Sequence, residues 1–536
     1  MLEKLMDNYI EKFRKAEDFY KKYNLEERIF DSVYDDIKNF KVNVPIVGIF
    51  SSGKTSLINS VIGEKIFKIN ITPETALPVE LTYSDEEFFR LVFKDGKIEN
   101  FDRDSLKKKE FHIEKHQYIT MGLKNDFLNS IKNIKIVDMP GFDSGLDAHT
   151  RAIDEYIEKS MAYIIVHDAE NGSAKKSVLD FLAELKLFDI PVYSVINKAD
   201  KKKTEIDDIV KLCKKQMEDA FGIKEIKTAP VSAKKKDIEK FKEYLGEINS
   251  DATGIFKNIF DNKAEKLKKR LINYLKIRIK NTDNNLEEIE LEEEKLKENL
   301  NKFEKKVEEI GRKLDSIYDE TVEKINAALE SLFINKVNEY AVILSSNGNI
   351  ENDIKRRIRR ICLEKFKTCF EPKMIKYFEH LKDELGSENI NIDLQDMLAL
   401  DDNMIKSGLK SLIIGILTSI GISIGGPLGA IIAVVVTVVV EWLYGGAKKK
   451  IREEQIKTKL YEQFPKIISQ VIQKLDENKN MVLSKIKNEI KNNFEQEKAR
   501  IEKAMCDVKK QKAEKIEEQK RIETELKHDL KIIESF

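Results

Sequence analysis

Cysteine and proline are scarce in this chain of 536 residues, which contains 4 cysteines and 9 prolines. The cysteines show neither metal-ligand nor redox spacing, so the sequence excludes a disulfide framework and favours buried thiols in a reducing compartment. Most prolines lie in the first half, and their rarity afterwards favours long helices there. Residues 1–7 include acids and no apolar run, which is not the pattern of a secretory signal, so we expect a cytoplasmic protein.

An excess of either charge is also missing, because 95 Lys and Arg side chains balance 95 Asp and Glu side chains. A chain of zero net charge has no general electrostatic reason to bind nucleic acid, and we predict no nucleic-acid partner. Its length exceeds what one hydrophobic core usually supports. Two or three domains are therefore expected.

The most informative stretch that is present is GIFSSGKT at 48–55, which fits the phosphate-loop pattern G-x-x-x-x-G-K-[ST]. It follows the apolar run 42–49 and precedes a helical pattern, as this motif requires. We expect loop amides to bind the β-phosphate, Lys54 to bridge the β- and γ-phosphates, and the Thr55 hydroxyl to bind Mg²⁺. The predicted phosphate-binding residues are Gly48, Ser51, Ser52, Gly53, Lys54, Thr55 and Ser56.

A carboxylate ends a second apolar run, at Asp138 in the tetrapeptide DMPG. The run 134–137 predicts a strand in the middle of a parallel sheet. A carboxylate at that strand end can hold Mg²⁺ through water, and the Gly141 amide can contact a γ-phosphate. We therefore add Asp138 and Gly141 to the nucleotide site, with Asp138 as a metal ligand through water.

Two later tetrapeptide-sized stretches predict recognition of guanine, NKAD after the strand-like run 192–196 and SAK after 229–231. The Asp200 oxygens match the N1–H and N2 amine of guanine and would repel the N1 lone pair of adenine. A backbone amide of the second stretch can reach the guanine O6. The predicted base-binding residues are Asn197, Lys198, Asp200, Ser232, Ala233 and Lys234.

Thr75, in the polar stretch TPET at 72–75, is the candidate for closing over Mg²⁺ and positioning water. The predicted catalytic residues are Ser51, Lys54 and Thr75, and the predicted metal ligands are Thr55, Thr75 and Asp138. With five stretches in the order and context of a guanine-nucleotide site, GTP is the expected substrate and Mg²⁺ the expected cofactor.

The predicted fold is a doubly wound α/β phosphate-loop GTPase domain followed by a long all-α helical stalk with an apolar hairpin tip. Apolar runs predict strands near 43–49, 77–83, 88–93, 133–138, 161–167, 191–196 and 227–231, and Asp95-Gly96 predicts a β-hairpin. The predicted parts are an N-terminal helix of a neck bundle (1–41), the GTPase domain (42–250), the ascending stalk (251–407), the apolar hairpin (408–446) and the returning stalk (447–536).

The stalk prediction depends on apolar residues at alternating spacings of three and four, separated mostly by Glu and Lys. They predict one helix from Leu286 to Leu344, on the order of 90 Å long. The Lys/Glu-rich pattern returns after Leu460, so we expect an antiparallel stalk. A basic cluster at 355–360 is interpreted as a solvated helix face, with anionic lipid or nucleic acid as the alternative. The periodic apolar residues are Leu286, Ile289, Leu296, Leu300, Phe303, Val307, Ile310, Leu314 and Ile317.

Residues 411–440 contain no charged side chain, and such a run is long enough for a transmembrane helix. Gly425-Gly426-Pro427 divides it into two short halves, and basic residues flank both ends. A hairpin dipping into one leaflet is therefore preferred, with a transmembrane pass and a protein-buried hairpin as alternatives. The predicted membrane-contacting residues are Leu428, Ile431, Ile432 and Trp442.

This order of parts resembles the dynamin superfamily, and most closely its bacterial dynamin-like and mitofusin-type members, which carry an apolar paddle at the stalk tip. The resemblance is specific in the GTPase motifs at 48–55, 72–75, 138–141 and 197–200, and architectural in the stalk. It implies low-affinity GTP binding, dimerisation through the GTPase domains, with itself or with a second dynamin-like protein, and hydrolysis-coupled movement on a membrane. Phe50 stands where classical dynamins have a water-positioning glutamine, which makes Ser51 the leading candidate for that role.

Two rival functions stay open from the sequence. A coiled-coil phosphate-loop ATPase should carry its second catalytic half after the coil, and no such motif follows Val440. A coiled-coil scaffold with a regulatory GTPase switch would carry the same motifs as a remodelling enzyme. Fusion, fission and tethering of membranes are likewise not distinguished by these motifs.

Overall fold

The computed structural model describes residues 2–535 with the exception of 67–76, 109–110, 112–114, 142–155, 157–159, 188–189, 223–224, 282–285, 347, 349, 387–448 and 515. Thr75 and the predicted hairpin 408–446, with Leu428, Ile431, Ile432 and Trp442, lie outside these residues. Within the described part, no helix is both long enough and apolar enough to cross a membrane.

Nine strands of the described part form one sheet in the order β4-β3-β5-β2-β6-β1-β7-β8-β9. The strands are β1 (Val42–Val47), β2 (Val79–Tyr83), β3 (Phe88–Phe93), β4 (Ile98–Phe101), β5 (His116–Leu123), β6 (Ile134–Asp138), β7 (Tyr163–Asp168), β8 (Val192–Asn197) and β9 (Lys227–Pro230). β6, β1, β7, β8 and β9 are parallel neighbours, and β2 runs antiparallel to β6. The seven predicted strands and the hairpin at Asp95-Gly96 are confirmed, and Gly96 has the positive φ of 85° that this turn needs.

One strand was missed, β5, because its apolar residues alternate with polar ones and form no continuous run. Ile119, Met121 and Leu123 are buried, whereas Tyr118 and Thr120 point to the opposite face. β5 pairs in parallel with β2 and antiparallel with β3. It fills most of the sequence between the phosphate loop and Asp138 that a minimal domain of this kind would not have.

The described helices fall into two groups. Those of the N-terminal half are α1 (Leu2–Lys22), α2 (Val33–Lys38), α3 (Lys54–Ile62), α4 (Arg103–Lys108), α5 (Asp126–Ser130), α6 (Lys176–Lys186) and α7 (Ile206–Phe221). Those that follow are α8 (Glu239–Lys280), α9 (Leu286–Ser345), α10 (Glu351–Lys365), α11 (Glu371–Gly386), α12 (Lys449–Lys512) and α13 (Ile516–Glu534). The predicted long helix is confirmed as α9, and its residues Ile289, Leu296, Leu300, Ile310, Leu314 and Ile317 are buried.

Alternating strand residues supply the two faces of the sheet with separate apolar cores. Val44 and Ile46 of β1 pack with α3 and the first turns of α8, whereas Val47 packs on the side of α6 and α7. Such burial on both faces is typical of parallel strands in α/β domains. It leaves the carboxyl ends of the strands, where the predicted motifs lie, as the open edge of the domain.

α8 connects the sheet to the helical part without interruption. Its residues up to Ala252 pack in the core below the sheet, and from Phe256 onward they pack in a bundle with α1, α12 and α13, which we call the neck. The rings of Tyr9 and Phe13 on α1 contact those of Phe256 and Phe260 edge to face. The amphipathic N-terminal helix predicted from residues 2–20 is thereby confirmed.

α9 and α12 run antiparallel, as predicted for the stalk. Ion pairs between them descend one helix as they ascend the other, from Glu293 with Lys509 through Glu304 with Lys498 and Asp315 with Lys487 to Asp319 with Lys479. These exposed pairs contribute little stability individually. Their regular order fixes the direction of the two helices.

The basic cluster 355–360 is not a solvated face, and that prediction was wrong. Arg359 of α10 is buried, and its guanidinium donates from Nε and Nη2 to the Glu184 carboxylate of α6 at 3.0–3.1 Å. Lys176, on the same helix as Glu184, pairs with Asp353 at 2.6 Å. The cluster therefore joins the stalk to the GTPase domain, a partner that local sequence cannot reveal.

The thiol prediction holds only in part. Cys213 and Cys362 are buried, and burial raises the pKa of both thiols. Cys369 is half-buried and Cys506 is exposed, so the prediction of a buried thiol was wrong for Cys506. Cys506 lies on the outer face of α12, and nothing in its local sequence distinguishes it from the buried positions.

Candidate nucleotide site

The phosphate loop joins β1 to α3 through backbone that only certain residues accept. Ser51 and Gly53 have φ angles of 64° and 88°, in the left-handed region. A Cβ atom on Gly48 would lie 2.2 Å from the Val166 carbonyl oxygen, and one on Gly53 would lie 2.2 Å from the Asn197 amide nitrogen. Glycine at these two positions allows the loop to approach β7 and β8, as the motif predicts.

Lys54 lies beneath this loop with its charge buried. Its Nζ donates to the carbonyl oxygens of Gly48 and Ile49, both at 3.1 Å, and its side chain is 7% exposed. Burial lowers the Lys54 pKa to about 8, and the nearby Asp138 carboxylate opposes that shift. Two neutral acceptors are weak compensation for a buried ammonium group, so an anion placed on the loop would bind it strongly.

Thr55 and Asp138 meet at the predicted metal position. The Thr55 hydroxyl donates to Asp138 Oδ2 at 2.7 Å. Burial raises the Asp138 pKa, against the opposing effects of Lys54 and Thr55. Asp138 Oδ1 and Ser52 Oγ are buried and have no hydrogen-bond partner among the described residues. A hydroxyl and a carboxylate with an unused oxygen are the hard oxygen ligands that Mg²⁺ prefers, so these residues fit the expected cation.

Gly141 lies directly against the phosphate loop. A Cβ atom at this position would lie 2.7 Å from the backbone nitrogen and Cα of Phe50. The Phe50 side chain itself is 46% exposed, beside the loop. The close approach of the two backbones places the Gly141 amide within reach of a phosphate on the loop, as predicted.

The predicted base-binding residues form a second, connected group. The Ser232 hydroxyl donates to Asp200 Oδ1 at 2.5 Å and is the main cause that lowers the Asp200 pKa. Asn197 Oδ1 accepts from the Ala233 amide at 3.2 Å, and Asn197 Nδ2 donates to the Ser52 carbonyl at 3.0 Å. Asn197 therefore connects both base-binding stretches to the phosphate loop.

Lys198 reaches back to a carboxylate that the sequence did not single out. Its φ is 62°, and its Nζ donates to Asp168 Oδ2 at the end of β7 and to Glu170 Oε2 at 3.4 Å. Asp168 lies at the carboxyl end of a buried strand, beside the end of β8. That position, one strand from the NKAD stretch, is the sequence feature that could have identified it.

The structure brings most of the predicted site residues to one edge of the sheet. Those at this edge are Gly48, Ser51, Ser52, Gly53, Lys54, Thr55, Ser56, Asp138, Gly141, Asn197, Lys198, Asp200, Ser232, Ala233 and Lys234. Ser51 and Lys234 are exposed, Ser56 is half-buried on α3, and Thr75 lies outside the described residues. The base and phosphate groups thus share one edge, with Asn197 between them.

Comparison with known sequences gives this geometry a family. A model of the dynamin family matches residues 44–200. Dynamin-like protein 2 of Campylobacter jejuni is 29% identical over 199 residues, which cover 36% of this chain and 31% of that protein. An uncharacterised protein of Caldicellulosiruptor is 24% identical over 372 residues, which cover 63% of this chain and 92% of that protein. The chain therefore spans under a third of the named Campylobacter relative.

Among solved structures, one from work on an oligomerised bacterial dynamin pair aligns with 98% of this chain and 81% of its own. The sequence identity is 18% and the TM-score is 0.38. Because that TM-score is low, the assignment rests on the sequence matches and on the motifs within them. The chain belongs to the dynamin superfamily, as a bacterial dynamin-like member, and residues 44–200 lie in its GTP-hydrolysing domain.

Proposed function

We propose that this protein hydrolyses GTP to GDP and phosphate and couples hydrolysis to membrane binding and remodelling. The observation that carries the nucleotide part is the connection made by Asn197, which joins the loop around Lys54 to the group around Asp200. One nucleotide can then contact both groups at once. Guanine is favoured as the base because Ser232 already orients the Asp200 carboxylate.

The proposed chemistry is in-line attack of water on the γ-phosphorus. Lys54 and the loop amides stabilise the charge that develops on the phosphate oxygens, and Gly141 senses the γ-phosphate. Thr55 and Thr75, with Asp138 through water, would hold Mg²⁺, whose charge neutralises phosphate oxygens. Thr75 and Ser51 position the attacking water, and Ser51 suits this role because its strained backbone leaves the side chain exposed beside the loop.

The membrane part rests on the uncharged run 411–440, whose length and central Gly-Gly-Pro favour a hairpin in one leaflet. Leu428, Ile431 and Ile432 would lie in the lipid and Trp442 at the headgroup level. We further propose a cytoplasmic protein that associates peripherally with a membrane. Its GTPase domains pair across the nucleotide, with a second copy or with a second dynamin-like protein. The related structure cited above concerns long-range sensing and tethering of membranes by a bacterial dynamin pair.

The nucleotide part is tested by comparing GTP and ATP turnover with purified protein and Mg²⁺. We expect strong preference for GTP, since an adenine would leave the Asp200 carboxylate without donors. Equal turnover of the two nucleotides would contradict the proposal and favour a coiled-coil ATPase. GTP binding without turnover, with or without lipid, would favour the scaffold with a regulatory switch.

The membrane part is tested by liposome co-sedimentation of a double variant, Leu428→Asp with Ile431→Asp. Each buried aliphatic side chain contributes roughly 1.5–3 kcal/mol to insertion, so two charges should abolish liposome binding. The matched control is Ile98→Asp with Leu291→Asp, two residues that are 56% and 53% exposed elsewhere, and it should bind like the wild type. If the double variant instead aggregates and loses basal turnover, residues 411–440 belong to a protein core.

A further inference from the structure

A buried carboxylate on β2 connects two segments that flank the nucleotide. Glu80 is 5% exposed, and its two carboxylate oxygens have different partners. Oε1 accepts from the Tyr156 hydroxyl at 2.7 Å, and Oε2 accepts from Lys135 Nζ at 2.8 Å. The Tyr156 side chain is itself 2% exposed. The mechanism proposed above uses none of these three residues.

Burial makes both partners of Glu80 necessary. An ionised carboxylate away from water is costly unless it is paired and hydrogen-bonded. Lys135 supplies the opposite charge, and Tyr156 supplies the donor for the other oxygen. If the Tyr156 hydroxyl moved away, one oxygen of a buried carboxylate would lose its donor. The position of Tyr156 is therefore linked energetically to that of β2.

The chain positions of these residues make the link relevant to the nucleotide. Glu80 follows the catalytic candidate Thr75 by five positions, and Tyr156 follows Gly141 by fifteen (80 minus 75 and 156 minus 141). Lys135 lies on β6, three positions before Asp138. In the antiparallel pairing of β2 with β6, Val79 lies opposite Asp138 and Glu80 opposite Val137. Three functional segments thus meet at one carboxylate.

We propose that Glu80 is a positioning residue for GTP hydrolysis, which couples the strand after Thr75 to the segment after Gly141 by accepting the Tyr156 hydroxyl. The inference rests on the proposed function, because it concerns the residues that surround the γ-phosphate there. Lys135 keeps Glu80 ionised and in place. Glu80 and Tyr156 act through Thr75 and Gly141 and do not themselves contact the nucleotide.

The test begins with Tyr156→Phe, which removes one hydroxyl and leaves the buried ring. We expect kcat for GTP to fall about tenfold, the value of one hydrogen bond to a charged group, with KM and GDP affinity within about twofold. In a Glu80→Gln background the same change should cost less, about threefold, because a neutral acceptor makes a weaker hydrogen bond. The matched control is Tyr34→Phe, which removes a 2.6 Å bond from Tyr34 to Glu17 in the neck and should not change kcat.

A second measurement does not depend on turnover. Trypsin cleavage after Arg151 is followed with GDP and with a non-hydrolysable GTP analogue bound. The analogue should slow cleavage in the wild type and in Tyr34→Phe, and should lose most of that effect in Tyr156→Phe. A wild type that binds GTP without hydrolysing it would refute the proposed function, whereas this measurement would still decide the coupling.

Two outcomes would overturn the inference. One is a Tyr156→Phe protein that unfolds at lower temperature but keeps its kcat and its analogue-dependent protection, which is the behaviour of a purely structural bond. The other is an equal loss of kcat on removing the hydroxyl in the wild-type and Glu80→Gln backgrounds, since independent sites add in free energy.

Discussion

The nucleotide edge of the sheet and the neck both bury ionised side chains, but the two regions partner them differently. In the neck, Arg270 and Arg500 each pair with both Glu27 and Glu497, and all four side chains are 3–7% exposed. We call these four residues the neck ion square. At the nucleotide edge, Lys54 has only carbonyl acceptors, and Asp138 has one oxygen without a described partner.

This difference separates charges that stabilise a fold from charges that await a ligand. The neck ion square holds two positive and two negative groups from three chain segments, so its charge is balanced without any added molecule. Lys54 and Asp138 pay for their burial without equivalent partners, and a nucleotide with its cation would supply them. Removing a charge should therefore damage function in one region and stability in the other.

The largest expected effect is the loss of GTP turnover in Lys54→Ala, by roughly 10³-fold or more, because the ammonium contacts phosphates in the ground and transition states. Its free energy of unfolding without nucleotide should stay equal or rise, since a poorly compensated buried charge is removed. Steady-state hydrolysis and urea unfolding of the same preparation measure the two effects. A clear loss of stability would show that Lys54 is a structural residue and break the comparison.

The opposite pattern is expected for Arg500→Leu. It leaves Glu27 and Glu497 with one arginine between them, and breaking a buried ion pair in this way costs about 3–5 kcal/mol of unfolding free energy. The charge-neutral double variant Arg500→Leu with Glu497→Leu should lose less than the single variant. Chemical unfolding followed by circular dichroism compares them, and a double variant weaker than the single one would contradict charge balance as the cause.

Base selectivity sharpens the comparison within the nucleotide edge. Asp200→Asn exchanges an acceptor for a donor opposite the guanine amine, so the preference for GTP over ATP should fall by about 10²-fold. Xanthosine triphosphate, which offers an acceptor there, should in turn bind the variant better than the wild type. Competition binding with the three nucleotides measures this, and an unchanged preference would move the specificity to another residue.

The smallest expected effect concerns pH. His167 on β7 is buried, and burial lowers its pKa to about 4 from 6.5. The unfolded chain therefore binds more protons between pH 6.5 and pH 4, so stability is full above pH 6.5 and falls as the pH drops to 4. The loss approaches roughly 2–3 kcal/mol. Unfolding midpoints at several pH values measure it, and His167→Leu should flatten the profile. A slope that persists in the variant would assign the effect to other groups.

Local sequence was sufficient wherever chemistry depends on adjacent residues. The phosphate loop, with Gly48, Gly53, Lys54 and Thr55, was predicted because its backbone and side chains serve one anion within eight positions. The same holds for α9, whose apolar spacing defines its buried face whatever it packs against. β5 was missed because an alternating strand with one polar face lacks the continuous apolar run of its neighbours.

The sequence by itself determined the nucleotide chemistry and the helical stalk, since both follow from residue types at fixed local spacing. Only the tertiary structure decided which distant groups meet. Asp200 and Ser232 are 32 positions apart, Glu80 and Tyr156 are 76 apart, and Glu184 and Arg359 are 175 apart. Pairing at such separations depends on how strands and helices pack as whole units. A carboxylate that is buried beside its partner looks, in the sequence, like any solvated one.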